Sequence, residues 1–298
     1  MKASSLISLI FKAAVAIAVA LVSSSILFAQ EKAEKAEKAA KAEYKTKYKG
    51  FCSSGDSWNG DRVGFKELRE MTIPAAGNLT IDGGRNGGIN VKGQNRSDIL
   101  VRACVQTWST TEEAAKALAA AIRIGTSPAV KADGGGEENW SVSYEVLVPR
   151  STDLRLTAHN GGISIDSVDG RMEFETTNGG LHLSDIGGDV KGRTTNGGVH
   201  VDLSGNSWRG SGMDVITTNG GVHLTLPASY AANIETGTTN GGFHSDIASL
   251  NVEKDPNDRH RSRATKISTA LNGGGAPIRL ITTNGGVHIS GSERAVNY

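Results

Sequence analysis

Short stretches in which apolar and polar residues alternate dominate the second half of the chain. Leu181 and Leu183 flank His182, and the same arrangement recurs around His200 and His223. Because successive side chains of a strand point to opposite faces, we expect each apolar pair to face a core and each histidine to face solvent. Each stretch follows the run Thr-Thr-Asn-Gly-Gly, so the pattern predicts a strand, a corner and a second strand in every repeat.

The heptapeptide Thr-Thr-Asn-Gly-Gly-x-His occurs five times. Units of about 20 residues cannot bury an apolar face alone and must stack on their neighbours. The repeat therefore predicts a mainly β fold, a single-stranded β-solenoid (β-helix) of short two-strand coils. Equivalent residues of adjacent coils would lie one strand spacing apart, roughly 4.8 Å.

Ladders of like side chains follow from this stacking, and two of them supply the candidate binding residues. We expect the histidines to form one exposed column, with His288 beyond His244 at its end, and the threonines to form a parallel surface ladder. The histidines are His182, His200, His223, His244 and His288. The threonines are Thr176, Thr194, Thr217, Thr238 and Thr282.

The asparagines and glycines of the repeat are predicted to be structural. Asn-Gly is a strong signal for a turn with positive φ at both residues. The second glycine would let the backbones of successive coils approach each other, and the asparagines would form a ladder along the corner. These turn residues are Asn178 and Gly179, Asn196 and Gly197, Asn219 and Gly220, Asn240 and Gly241, and Asn284 and Gly285.

The start of the chain predicts export. Residues 1–29 combine early lysines with a long apolar run, which is typical of a secretory signal peptide cleaved after Ala29. An uncleaved N-terminal anchor is the alternative. Residues 30–50 would then form a solvated spacer, because glutamate and lysine alternate four residues apart among alanines.

The rest of the chain divides into three predicted parts. Residues 51–149 indicate a β-rich part with one helix at about 110–123, packed near one end of the solenoid. A capping box at 109–113 marks the start of that helix. The repeats would occupy residues 150–291, and a short tail would follow at 292–298.

The cysteine content and the charge agree with an exported, non-nucleic-acid-binding protein. Cys52 and Cys104 are the two cysteines of the chain, and an even pair after a signal peptide predicts a disulfide. The periplasm, the outer surface and secretion to the medium all remain open. With 32 basic and 31 acidic residues, the chain has no electrostatic basis for nucleic-acid binding.

Four segments together resemble a known family. They are VLVP at 146–149, DLRL at 153–156, HNGGISI at 159–165 and LNGGGAPIRL at 271–280. Together with the repeated Asn-Gly-Gly coils they resemble the bacterial putative-adhesin family, a domain of unknown function in exported proteins. The resemblance covers about residues 70–291 and implies an exported β-solenoid. The histidine after each corner departs from the family, in which varied polar residues are expected there, and residues 52–58 lie outside the match.

The function that these patterns favour is that of an exported, non-catalytic binding scaffold. We expect no cofactor and no metal, and the partner is open among an envelope polymer, a glycan and a protein. Membrane contact would come only from an uncleaved N-terminal segment. If the histidines stack, mutual repulsion should make the column resist protonation, so its pKa values would lie near or below about 6.5.

Two other functions compete with a binding scaffold. The first is metal binding by the histidine column, since imidazole suits zinc, copper and nickel. The second is a carbohydrate-active enzyme using carboxylates near the corners. These carboxylates do not recur at one repeat position, and aspartate is common in turns. They are Asp166, Asp169, Asp185, Asp189, Asp202 and Asp246.

Overall fold

The computed structural model describes residues 51–52, 62–134, 139–250 and 265–292. The chain divides into two units, Met1–Ser53 and Ser54–Tyr298, and the fold described below is that of the second. The predicted signal peptide, the spacer and residues 293–298 of the predicted tail lie outside the described residues. Within the described part of the chain, no helix has both the length and the apolar character needed to cross a membrane.

The first half of the second unit contributes seven strands and one α-helix. The strands are β1 (Val63–Pro74), β2 (Asn78–Asp82), β3 (Ile89–Gln94), β4 (Asp98–Ser109), β5 (Arg123–Gly125), β6 (Val130–Asp133) and β7 (Trp140–Pro149). The helix, α1, spans Glu112–Ala121. Its N-cap is Thr111, whose hydroxyl accepts a hydrogen bond from the backbone N–H of Ala114. The predicted capping box is wrong, because the third residue after this cap is Ala114 and not a glutamate.

The repeats contribute thirteen further strands. The first eight are β8 (Asp153–Ala158), β9 (Ile163–Asp166), β10 (Asp169–Thr176), β11 (Leu181–Ser184), β12 (Gly187–Asn196), β13 (Val199–Asp202), β14 (Gly212–Asn219) and β15 (Val222–Pro227). The last five are β16 (Ala232–Asn240), β17 (Phe243–Ser245), β18 (Thr265–Leu271), β19 (Pro277–Asn284) and β20 (Val287–Ser292). A short 3-10 helix, Ala248–Leu250, follows β17.

The strands form two large sheets of ten strands each. The first sheet has the order β1-β4-β7-β3-β9-β11-β13-β15-β20-β17, and the second has the order β18-β16-β19-β14-β12-β10-β8-β2-β6-β5. From β8 to β15 the chain alternates between the two sheets, and each strand lies parallel to its equivalent in the preceding repeat. The mainly β prediction is confirmed, and both sheets contain strands from before and after residue 150.

The core lies between the inner faces of the two sheets and has the alternation that the sequence predicts. Leu181 and Leu183 are at most 1% exposed, whereas His182 between them is exposed. The same division holds for Val199 and Val201 on either side of exposed His200. One continuous apolar cluster runs from the strands of the first half to the last repeat.

Helix α1 packs against β1 and β4 at the edge of the first sheet. Its buried face is made of Ala115 and Ala119. The hydroxyl of Thr107 on β4 donates to the carbonyl of Ala115 at 2.8 Å, and the guanidinium of Arg69 on β1 donates to the carbonyl of Ala119 at 2.8 Å. The small side chains allow this close approach of the helix to the sheet.

The last repeat does not follow the order of the chain. Strand β19 lies between β14 and β16, and β20 lies between β15 and β17. The prediction that His288 lies beyond His244 is therefore wrong, because His288 pairs with His223 on one side and His244 on the other. After β16 and β17, strand β18 pairs antiparallel with β16 on its other side, and β19 then returns to the position next to β14.

Candidate functional site

The first glycine of each Asn-Gly-Gly corner is required by the close stacking of neighbouring backbones. A Cβ atom on Gly179 would lie 2.1 Å from the carbonyl oxygen of Gly161 in the preceding coil. Neither Asn178 nor Gly179 has a positive φ, so the predicted positive-φ turn is wrong. Positive φ instead occurs at the opposite corner, at Ser167 (59°) and Asp185 (46°).

The second glycine leaves space beside the imidazole of its own repeat. A Cβ atom on Gly180 would lie 3.7 Å from Nε2 of His182, and one on Gly198 would lie 3.5 Å from Cε1 of His200. The close backbone approach that we predicted for the second glycine thus belongs to the first. The first glycine of the motif therefore allows the backbones to approach, and the second leaves space beside the histidine.

The threonines of the repeat are buried, which corrects the prediction of a surface ladder. All five are at most 4% exposed. Thr194 donates its hydroxyl hydrogen to the carbonyl of Gly179 in the preceding coil at 2.7 Å. Equivalent bonds of 2.7–2.8 Å are made by Thr176, Thr217, Thr238 and Thr282. These residues hold the corner together and are not available to a ligand.

The asparagines form the predicted ladder along the corner. The side-chain amide of Asn178 donates to the amide oxygen of Asn160 at 2.8 Å, and that of Asn196 donates to Asn178 at 2.7 Å. The ladder continues through Asn219, Asn284 and Asn240 at 2.8 Å per step. Each asparagine is exposed but bonded to its neighbours, so its main role is to stabilise the stacking.

The histidines form a continuous column on the outer face of the first sheet. The ring centroids of His182 and His200 are 4.7 Å apart with planes 4° from parallel, and those of His200 and His223 are also 4.7 Å apart at 3°. His288 continues the column at 5.8 Å from His223 with a tilt of 54°, and His244 stacks on His288 at 5.0 Å. Four of the five rings are exposed, and His288 is half-buried.

Few charged groups share this face with the imidazoles. The position two residues after each histidine carries Ser184, Asp202, Thr225, Ser290 and Asp246 in the order of the sheet. Asp246 lies 3.0 Å from Nε2 of exposed His244. At the N-terminal end of the column, the neighbouring strands β9 and β3 add Asp166 and Lys92. Within the part of the chain that the structure describes, the column therefore has three acidic neighbours and one basic neighbour at these positions.

The centre of the column resists protonation. The pKa of His200 lies below its ordinary value because partial burial disfavours the charged ring, and because His182 and His223 would repel it. Asp202 opposes the shift without reversing it. For His200, this is the direction that stacking predicts.

The geometry does not favour a metal site in the column. The lone pair of an imidazole nitrogen lies in the plane of its ring, so rings that are 3° and 4° from parallel do not direct their nitrogens at one ion. In the described residues, no group of three or more His, Cys, Asp and Glu side chains is arranged to hold a metal. The expectation of no metal remains a prediction.

Several of the candidate carboxylates lie at the opposite corner, in an ion-paired network that the sequence did not reveal. Arg209 donates to Asp169 at 2.9 Å and to Asp185 at 3.2 Å. Burial tends to raise the pKa of Asp185, but the bond from Ser204 and the charge of Arg209 outweigh it, so the pKa lies below its ordinary value. A carboxyl group held ionised in this way is unsuited to be the general acid of a glycosidase.

The only sequence signal for this network was the longer spacing between Asn196 and Asn219, which contains Arg209. Arg209 has no equivalent in the other repeats, so no periodicity marks it. Trp208, beside it, is buried and donates from its indole nitrogen to the carbonyl of Gly188 at 3.0 Å. The two residues fasten this insertion to the corner.

The predicted disulfide is confirmed. Cys52 and Cys104 are bonded to each other, and no cysteine of the chain is free. Cys104 lies on β4 and is 2% exposed. A structural disulfide is typical of proteins that fold in an oxidising compartment and agrees with export.

Comparison with known proteins identifies no family for this chain. No protein-family model matches it, and no curated protein does. A putative cell adhesion protein from Clostridium sporogenes ATCC 15579 is 13% identical with a TM-score of 0.39, over 76% of this chain and 100% of that one. A putative adhesin from Parabacteroides merdae ATCC 43184 is 8% identical with a TM-score of 0.31, over 75% and 95%. These similarities are too distant to support an inference about function.

Proposed function

We propose that this protein is an exported, adhesin-like binding scaffold without catalytic activity, and that the histidine column is its contact surface. The proposal rests on one observation. Five imidazoles stand in an unbroken row on one face, and neither the core nor the corner uses them. The parallel register of equivalent residues from β8 to β15 supports the further proposal that the repeats form a β-solenoid.

The outer face of the second sheet differs from this surface because several of its charged side chains pair with one another. Arg279 lies 2.7 Å from Asp214 and 3.3 Å from Glu235, and Glu235 also pairs with Lys266 at 2.9 Å. Side chains paired in this way are less available to a charged partner. Among the described residues, the ion pair that involves a histidine of the column is that of His244 and Asp246. The pairs of Arg102 with Glu70 and Glu145 lie farther along the same sheet, beyond β3 and β9.

The chemistry of the column favours a polymer with hydroxyl groups as the ligand. A neutral imidazole supplies one N–H donor and one nitrogen acceptor, which suits alcohols better than fixed charges. A row of rings spaced 4.7–5.8 Å apart can contact several units of an extended chain at once. We therefore propose an envelope polysaccharide or another surface glycan as the partner class.

Substitution of the three best-stacked histidines tests this proposal. The variant His182→Ser, His200→Ser, His223→Ser should lose about tenfold or more in affinity for the polysaccharide, measured by co-sedimentation with purified cell-envelope polysaccharides and peptidoglycan at pH 7.5. The matched control is Thr157→Ser, Glu175→Ser, Arg193→Ser on the second sheet, where all three side chains are exposed and the net charge is unchanged.

The two variants should unfold at nearly the same urea concentration as the native chain, because exposed side chains contribute little to stability. Binding that is equal in the column variant and the control would contradict the proposal. So would the absence of binding to every polymer in the panel.

A further inference from the structure

The last coil of the chain, residues 277–292, occupies a gap between two parts of the chain that precede it. Strands β14 and β15 form one wall of the gap, and β16 and β17 form the other. Without the last coil, the facing edges of β14 and β16 would be roughly 9.6 Å apart, which is two strand spacings. Unpaired strand edges are templates for pairing with another chain.

The last coil is bonded to both walls through the side chains of the repeat. Thr282 donates to the carbonyl of Gly220 on one wall at 2.7 Å, and Thr238 on the other wall donates to the carbonyl of Gly285 at 2.7 Å. The amide of Asn284 donates to Asn219 at 2.8 Å and accepts from Asn240 at 2.8 Å. The coil fills the gap as an ordinary repeat would.

Charge complementarity adds specificity to the fit. Arg279 of the last coil lies between the two walls, 2.7 Å from Asp214 on β14 and 3.3 Å from Glu235 on β16. The last coil also repeats the octapeptide Ile-Thr-Thr-Asn-Gly-Gly-Val-His of residues 216–223 at 281–288. It therefore stacks on a wall of identical local sequence.

The segment that connects β18 to the last coil has the backbone conformation of a turn. Asn272, Gly273, Gly274 and Gly275 all have positive φ, at 48°, 95°, 81° and 156°. Glycine adopts this region at little cost. These residues carry the chain past the start of β16, where Asn233 donates to the carbonyl of Gly275 at 2.6 Å. We call residues 272–276 the connector.

We propose that the gap is a strand-acceptor site and that it takes residues 277–292 from a second copy of this chain, so that two copies associate by exchanging their last coils. Every strand pairing and ion pair described above would be the same whether the coil came from its own chain or from a partner. Exchange of an identical element is a low-cost route to a dimer, and the connector determines which arrangement forms. The proposal does not depend on what the histidine column binds.

Disulfide trapping in the full-length chain tests the exchange directly. Thr225 on β15 and Ser290 on β20 are register partners, and their hydroxyl oxygens are 3.4 Å apart. One preparation carries Thr225→Cys and the other carries Ser290→Cys, with the native disulfide intact in both. The two are mixed in urea at high protein concentration, refolded together and oxidised, and the products are separated by non-reducing electrophoresis.

We expect a covalent heterodimer from this mixture, because the new cysteines meet across chains only when the coil of one copy lies in the gap of the other. The matched control mixes Ser184→Cys with Ser290→Cys. Ser184 is on β11, which is not a neighbour of β20 in either arrangement. The proposal is wrong if the first mixture gives no heterodimer, or if the control mixture gives an equal yield of heterodimer.

A second measurement avoids engineered thiols. Deletion of Gly273 and Gly274 shortens the connector, which should hinder insertion of the coil into its own gap and leave insertion into a partner's gap open. We expect sedimentation velocity to find at least a tenfold larger dimer fraction than in the native chain at equal concentration. A shortened chain that folds and stays monomeric would also overturn the proposal.

Discussion

The corner and the histidine column come from the same heptapeptide but differ in the number of contacts that hold them. At the corner, Thr194 is buried and bonded to Gly179, and Asn196 is bonded to both neighbouring asparagines. In the column, His200 is exposed and contacts its neighbours mainly by stacking at 4.7 Å. Stability therefore explains the corner residues, whereas the identity of the histidines requires another explanation.

The two outer faces of the sheets differ in a similar way. The second sheet places arginine opposite carboxylates, as for Arg155 and Glu173 at 3.2 Å, and the residue types vary from one repeat to the next. The first sheet also pairs Arg102 with Glu70 and Glu145, but its last five strands carry histidine at the same position. Exposed ion pairs contribute about 0–1 kcal/mol each, so neither face is a major source of stability. The difference between them concerns what each can bind.

The largest expected effect comes from adding one carbon atom to the corner. Gly197→Ala would place its Cβ 2.0 Å from the carbonyl oxygen of Gly179, so the stacked backbones would have to separate. We expect a loss of about 3 kcal/mol in the free energy of unfolding, measured by urea denaturation. Gly198→Ala is the control, because its Cβ would have no neighbour closer than 3.5 Å. If the two variants lost the same free energy of unfolding, the first glycine would not be the one that the backbone stacking requires.

A smaller effect should follow from removing one buried hydroxyl group. Thr194→Val keeps the shape of the side chain but leaves the carbonyl of Gly179 without its 2.7 Å hydrogen bond. We expect a loss of about 1.5 kcal/mol in the free energy of unfolding. Thr195→Val serves as the control, since that side chain takes no part in this bond and is less buried. If Thr194→Val left the urea midpoint unchanged, the threonine would not be a structural residue.

The smallest expected effect concerns the titration of the column. The pKa of His200 is lower in the folded chain than the usual value of about 6.5, so the folded state binds fewer protons than the unfolded state as the pH falls through 6.5. The contribution of His200 to stability should therefore decrease from about pH 6.5 downwards and level off below its folded pKa.

Histidine titration by NMR checks the cause of this shift. In the variant His182→Ser, His223→Ser, the pKa of His200 should rise towards its ordinary value, because the flanking charges and part of the burial are removed. Replacement of His159, which is not among the groups that shift the pKa of His200, should leave the titration of His200 unchanged. An unaltered pKa in the double variant would show that the rings titrate independently.

Much of the local structure could be predicted because it depends on neighbours along the chain. The alternation of Leu181, His182 and Leu183 determines which side chains enter the core, since a strand has only two faces. The cap at Thr111 and the asparagine ladder follow in the same way from residue type and repeat. The prediction of a positive-φ turn at each Asn-Gly pair was wrong. Glycine is needed both where φ is positive and where two backbones approach closely, and the sequence does not distinguish these two cases.

By itself, the sequence determined the repeat, the faces of its strands, the pair of cysteines and the ladders of like residues, because each depends on residues within one coil or on simple stacking. Only the tertiary structure decided the order of the coils in the sheets. It also decided that the first threonine of each Thr-Thr-Asn-Gly-Gly run is buried. Residues 216–223 and 281–288 are identical, so either coil can stack on the other and the sequence does not specify their order. The hydroxyl of Thr282 is buried because its acceptor, the carbonyl of Gly220, belongs to the coil that the fold places beside it.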